Sequence, residues 1–342
     1  MTDHRPTNAS SSGITIDKKA MKAIAKRSDV PGLLYLLQWA AMLAVTGAGV
    51  YFAWGTWWIV PAMLAYGTVF CVPVYAISHE TAHGTAFKTR WLNETIFYLS
   101  AFFYGEEPYH RRYSHTRHHT YTWQVGLDSQ MPFDTPMAFS GWLKEISGVY
   151  YISYYVKLLM RHALGRFDEK VRVYTPEAEL PKLKWGARMF ILGYVGIAGL
   201  IAAGYIWPLM FIVIPRLVGW PVMLLFTLIQ HVEMEENNPS ILHTTRSFRT
   251  NWLGRFLYMN MNHHVEHHLY PQVPWYALPK LNALIHDQLP EPDPGLVKTN
   301  WEVFLVVVRR SLGKPTKAPT IRQAPHMITN GGYTPLAKAS MT

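Results

Sequence analysis

Cysteine is almost absent. Cys71 is the only one in 342 residues, which excludes an internal disulfide framework, a CxxC site and a cysteine-held iron–sulfur cluster. Charge is scarce as well: 16% of the residues are charged, where a soluble domain carries roughly a quarter. No GxGxxG opens a helix after a strand, so a dinucleotide-binding unit is not expected. What fills the chain instead is apolar and aromatic, with 49% hydrophobic residues, 13 Trp, 20 Tyr and also 16 His. Tryptophan and tyrosine suit a membrane–water interface, where one end of the ring is apolar and the other wet. The net charge of +10 fits either nucleic acid or an anionic membrane surface.

The hydrophobic runs decide between these. Residues 33–54 form an uncharged run of 22, and residues 57–77 one of 21. About 20 apolar residues span a bilayer core as a helix. Residues 186–207 and 208–229 form a second pair, with Arg188 at one end and Arg216 well inside. The turn-forming residues around Arg216 predict an outer loop there and a fourth span starting near Leu217. The reading is an all-α integral membrane protein of four spans in two hairpins. Shorter aromatic stretches at 91–104 and 141–160 read as interfacial or re-entrant helices.

Apart from Arg188 and Arg216, every Lys and Arg lies before the first run, in residues 78–185, or after Gln230. Two hairpins place these three segments on one side, which the positive-inside bias makes cytoplasmic. Residues 1–32 are a basic cytoplasmic segment without an evident signal peptide. Residues 33–312 are the membrane domain, and 313–342, rich in Pro, Lys, Thr and Gly, are expected to be disordered.

The histidines cluster. His79 and His83 frame HETAH; His115, His118 and His119 frame HTRHH; His264, His267 and His268 frame HVEHH; His231 follows the fourth run. On a helix, positions i, i+3 and i+4 share a face, so each box can aim its imidazoles at one point. His79 and His231 both emerge where an inward-running span ends, which gathers nine imidazoles in a cytoplasmic helical cap. Neutral imidazole binds iron, zinc, copper or nickel, and nine are reasonable for two ions. A nucleic-acid patch would be built of Lys and Arg instead. Read alone, HETAH is also HExxH, the helix of a zinc protease with Glu80 as general base. That reading leaves most of the clustered histidines unused. Glu80, Asp128, Glu233 and Glu266 stand near the boxes and are candidates to hold a ligand imidazole by a hydrogen bond. His110, His243 and His263 are expected to be non-ligands, and His4, His162, His286 and His326 surface residues.

These boxes resemble those of the integral-membrane fatty acid desaturase and hydroxylase superfamily. HETAH, HTRHH, HVEHH and His231 match its three histidine boxes and extra histidine. YHRRYSHTRHHTYT and NMNHHVEHHLYPQVPWYALPKL resemble the sequence around its second and third boxes, and order and spacing agree over roughly residues 33–290. The first box departs from the common form in carrying Glu80 where Asp is frequent. The resemblance implies a non-haem di-iron centre held by His79, His83, His115, His118, His119, His231, His264, His267 and His268. It implies O2 as co-substrate and an apolar, lipid-like substrate entering from the bilayer. The chain carries no haem segment of its own, so the expected electron donor is a separate ferredoxin- or cytochrome-type protein with its reductase. Desaturation of a fatty acyl chain is the first expectation; hydroxylation or ketolation of an apolar substrate uses the same boxes.

Overall fold

The computed structural model describes residues 12–131 and 135–316. The start of the expected basic segment and most of the expected C-terminal tail lie outside these residues. Within them the chain is helical and forms no strand ladder, only an isolated bridge between Phe248 and Asp293. In chain order the helices that matter here are α1 (Lys18–Ile24), α2 (Val30–Ala53), α3 (Ile59–Ala82), α4 (Arg90–Tyr104), α5 (Pro108–Thr120), α6 (Phe139–Ile146), α7 (Val149–Ala163), α8 (Glu169–Tyr174), α9 (Leu180–Ala202), α10 (Ile214–Leu228), α11 (Ile241–Thr244), α12 (Trp252–Leu257) and α13 (His264–Leu269).

Four helical segments are long and apolar enough to cross a membrane: Val30–Ala53, Ile59–Ala82, Glu177–Ala202 and Leu209–Leu228. Their boundaries differ from the sequence expectation in instructive ways. α3 runs on to Ala82, so its polar HETAH end continues the apolar helix instead of following it. The third span begins earlier than expected, because Lys182 and Lys184 are tolerated in its first turns: long cationic stems lie along apolar surface while the charge stays wet. The expected loop at Arg216 is not there. The helix passes through it, and the Arg216 guanidinium donates to the Tyr104 carbonyl at the end of α4, a group that a helix C-terminus leaves free.

α3 and α10 form the centre. They cross closely at Gly67 and Gly219, where a Cβ on Gly219 would collide with the Gly67 carbonyl; small residues let helix backbones approach without a side chain between them. Trp39 Nε1 ties α2 to the Val69 carbonyl at 2.8 Å. α2 and α9 turn large apolar residues outward, among them Leu37, Val45, Leu192 and Val195. In a soluble chain such faces would be an aggregation liability, and in a bilayer they are the lipid surface. α9 packs on α7 and meets α4 through Phe102 and Tyr194, stacked 4.7 Å apart. The close crossing of α3 and α10 brings the ends of both central helices, with His79 and His231, to one place.

Candidate metal centre

Four short constructions deliver the histidines. The last turn of α3 carries His79, and His83 caps it. α5 opens with Pro108 at its first turn, and the Glu107 carboxylate accepts from Tyr109 N at 3.1 Å and His110 N at 2.8 Å. Proline and a capping carboxylate are what a helix N-terminus favours, and they fix the register of His115, His118 and His119. His231 sits in the turns after α10. α13 starts after left-handed backbone at Met259 (φ 48°) and Asn260 (φ 54°), which redirects the chain so that His264, His267 and His268 face inward.

The structure brings all nine histidines together, in two sets. His79, His83, His115, His119 and His267 form one; His118, His231, His264 and His268 form the other. Within each set one nitrogen per ring lies within 4.8 Å of all the others. Nε2 atoms face each other at 3.0 Å for His83–His115 and 3.1 Å for His115–His119, His231–His264 and His264–His268. Around an ion with Zn-like bonds of about 2.0–2.1 Å, adjacent ligand nitrogens lie about 3.0–3.4 Å apart. His119 and His268 stack between the sets at 4.1 Å.

Hydrogen bonds set the tautomers. His118 Nδ1 donates to Asp128, His231 Nδ1 to the Thr244 carbonyl at 2.9 Å, and His115 Nδ1 to Gln130 Oε1 at 3.0 Å. Thr122 spends its own proton on the His118 carbonyl, so it accepts from His268 Nδ1 at 3.1 Å. In all four rings the proton is therefore on Nδ1, and the Nε2 lone pair points into the set. His79 and His267 are fully buried, and neither ring nitrogen of either has a hydrogen-bond partner. Buried imidazole nitrogens are rarely left so, and a metal ion is what would satisfy them.

Electrostatics favour the uncharged form of seven of these rings. Burial, helped by neighbouring imidazoles, holds His115, His119, His264, His267 and His268 well below the ordinary histidine value. Burial pushes His83 and His231 down to about 3. Neutral imidazole is the form that binds metal.

Of the four carboxylates singled out in the sequence, Asp128 reaches a clustered imidazole. Glu80 does not: it accepts from Thr85 Oγ1 at 2.5 Å and Trp275 N at 3.1 Å. That geometry also corrects the protease reading of HETAH, whose Glu would have to face the metal. Glu233 is taken by Arg310, which covers it with two N–H groups. Glu266 accepts from His263, Ser247 and Asn282, and so braces α13 from behind. His110, His243 and His263 lie outside both sets and pair with Glu106, Glu235 and Glu266. His162, expected at the surface, is buried against Phe167 and His110, since α7 folds onto α9 and α5 closes over it. The sequence reading missed Gln130, Thr122 and the Thr244 carbonyl. Thr122 stands four residues after His118, a spacing that could have flagged it; the backbone carbonyl left no trace in the sequence.

A cavity of 930 Å³ opens beside the sets. His79, His115, His118, His231 and His264 form one wall, and tyrosines, Trp123 and Leu224 much of the rest.

Four apolar helices with imidazoles gathered at one end define a membrane protein with a histidine-rich metal-binding site. The sequence pattern described as fatty acid desaturase matches residues 55–300. An sn-1 acyl-lipid omega-3 desaturase (ferredoxin) of Nostoc sp. (strain 36) is 27% identical over 241 residues, 65% of this chain and 66% of that protein. The matched part thus spans just under two thirds of that relative's length. A dihydrorhizobitoxine desaturase of Bradyrhizobium elkanii is 24% identical over 294 residues, 80% of this chain and 79% of that protein. The chain belongs to the fatty acid desaturase family, a family of oxidoreductases.

Proposed function

We propose that this protein is an O2-dependent desaturase of a fatty acyl chain, with two irons held by His79, His83, His115, His119 and His267 on one side and His118, His231, His264 and His268 on the other. The observation that carries the reading is the inward-facing Nε2 array at the ends of α3 and α10, beside a cavity large enough for a substrate. The two irons would supply oxygen activation and hydrogen removal. In the overall balance, the substrate gives up two hydrogens while O2, two electrons and two protons become two waters. The name of the Nostoc relative supports a ferredoxin-type donor; a cytochrome-type donor with its reductase fits the same requirement.

The chain's own contribution is positional. Asp128, Gln130, Thr122 and the Thr244 carbonyl hold four rings in one tautomer before any metal arrives. Trp123 stacks on His231 at 5.5 Å and keeps water off that ring. The spans offer an apolar chain a route from the bilayer. Residues 33–312 form the membrane domain, built as two hairpins with the histidines in a cytoplasmic cap and residues 1–32 on the same side. Exposed Trp54, Trp57, Trp58, Tyr205 and Trp207 cluster in the two connections opposite the histidines, where an aromatic belt belongs.

The test is turnover of acyl substrates under 18O2 with a reconstituted donor. A product two mass units lighter and free of label is the expected result. Label in the product identifies hydroxylation, the second use of this metal set, and overturns desaturation.

A further inference from the structure

Arg111 is 2% exposed, lines the cavity, and cannot shed its charge. Its Nη1 donates to Glu106 at 3.0 Å. The rings of Tyr104 and Tyr75 approach its Cζ to 4.6 and 5.1 Å. Nε and Nη2, by contrast, are buried and make no well-formed hydrogen bond, with the Tyr75 hydroxyl near the guanidinium. These two atoms share one edge of the planar guanidinium, and their parallel N–H bonds are the fork that matches the two oxygens of a carboxylate. The hydroxyl of Tyr151, on the same cavity, is also buried, with the Tyr104 side chain beside it. His115 follows Arg111 by four residues on α5, so both look out from one face of the helix into the same space.

We propose that Arg111 binds the carboxylate of an organic acid through its Nε–Nη2 edge, so that the substrate is a free acid and not an esterified lipid. The fate of the acid rests on the oxidative reading above; its binding does not. Glu106 occupies the remaining edge and offsets the guanidinium charge, and His110 holds Glu106 in turn at 2.8 Å. The anchored end lies beside the histidine wall, which directs the adjoining carbons along it. An ester offers this fork one carbonyl oxygen in place of two charged ones.

Binding is measured by calorimetry on the metal-loaded protein in detergent, without electron donor, so that no turnover occurs. Octanoate and methyl octanoate are compared. Octanoate is expected to bind about 10- to 100-fold more tightly, the range for hydrogen bonds to a charged group. In Arg111→Gln, which removes the charge, that preference collapses while the ester's affinity is unchanged. Equal affinity for acid and ester in the unaltered protein overturns the inference, and this comparison needs no variant to fold. So does an acid preference that survives Arg111→Gln, the mark of a carboxylate held elsewhere, or an equal loss for both ligands, the mark of a merely structural arginine. If octanoate binds through Arg111 and no acid is ever oxidised, the desaturase reading fails, and with it the acid's role as substrate, while the carboxylate site at Arg111 stands.

Discussion

The Nδ1 of His118 donates to both carboxylate oxygens of Asp128, at 3.0 and 2.9 Å. The carboxyl lies below its ordinary range even though burial opposes this, because His118 and the N–H groups of Gln130 and Trp123 favour the charged form. Asp128 is therefore an anion fixed behind one imidazole. Asp128→Asn keeps an acceptor but loses the charge. Partners of this kind are typically worth about 10- to 100-fold in metal affinity or activity. Iron per chain after dialysis, together with turnover, reads the effect; unchanged iron retention and rate would remove Asp128 from the site.

His118 and His267 belong to different sets, so their loss separates the two. His118→Ala and His267→Ala should each abolish turnover and lower the iron content below two per chain. His286→Ala, at an exposed position, should leave both unchanged. One tightly bound zinc with no iron in the unaltered protein would overturn the di-iron reading.

Topology follows from charge. Reporter fusions after Arg166 and after Ser311 should both report the cytoplasm, since Lys and Arg crowd these segments. Activity of an exported reporter at either position contradicts the two-hairpin arrangement.

Glu145 lines the cavity on α6, and burial alone pushes its carboxyl up to about 7. Between its ordinary value of 4.5 and about 7, the unfolded chain loses a proton that the folded chain keeps. Stability therefore falls as pH rises through that window and stays lower above it. Glu145→Gln removes the penalty, which is at most about 3 kcal/mol at pH 8. The variant should melt above the parent at pH 8 and level with it near pH 4. Parallel melting curves across this range would show that the carboxyl is solvated.

The nine histidines that gather in the structure were legible as clusters in the sequence because both signals are local: a span is read from consecutive residues and a box from one turn of helix. The partition into five and four was not legible. His118 leaves its neighbours His115 and His119 for His231, His264 and His268, and that choice is made by how α5 lies against α13. The imidazole partners were legible only where a carboxylate stood close by, as with Asp128. Glu266 shows the limit of that argument: it is inside a box, yet it faces His263 and the back of the helix. Arg216 failed for a similar reason, since its acceptor is a carbonyl 112 residues earlier.

α5 and α13 each contribute to both imidazole sets, and His119 of one set stacks on His268 of the other. Neither set can be adjusted alone. An ion entering one fixes the tilt of a helix that the other also needs, so the first to bind lowers the ordering entropy left for the second. If the site takes two ions as proposed, their uptake would be linked. At equilibrium a partly supplied preparation would separate into filled and empty molecules, with few carrying a single ion.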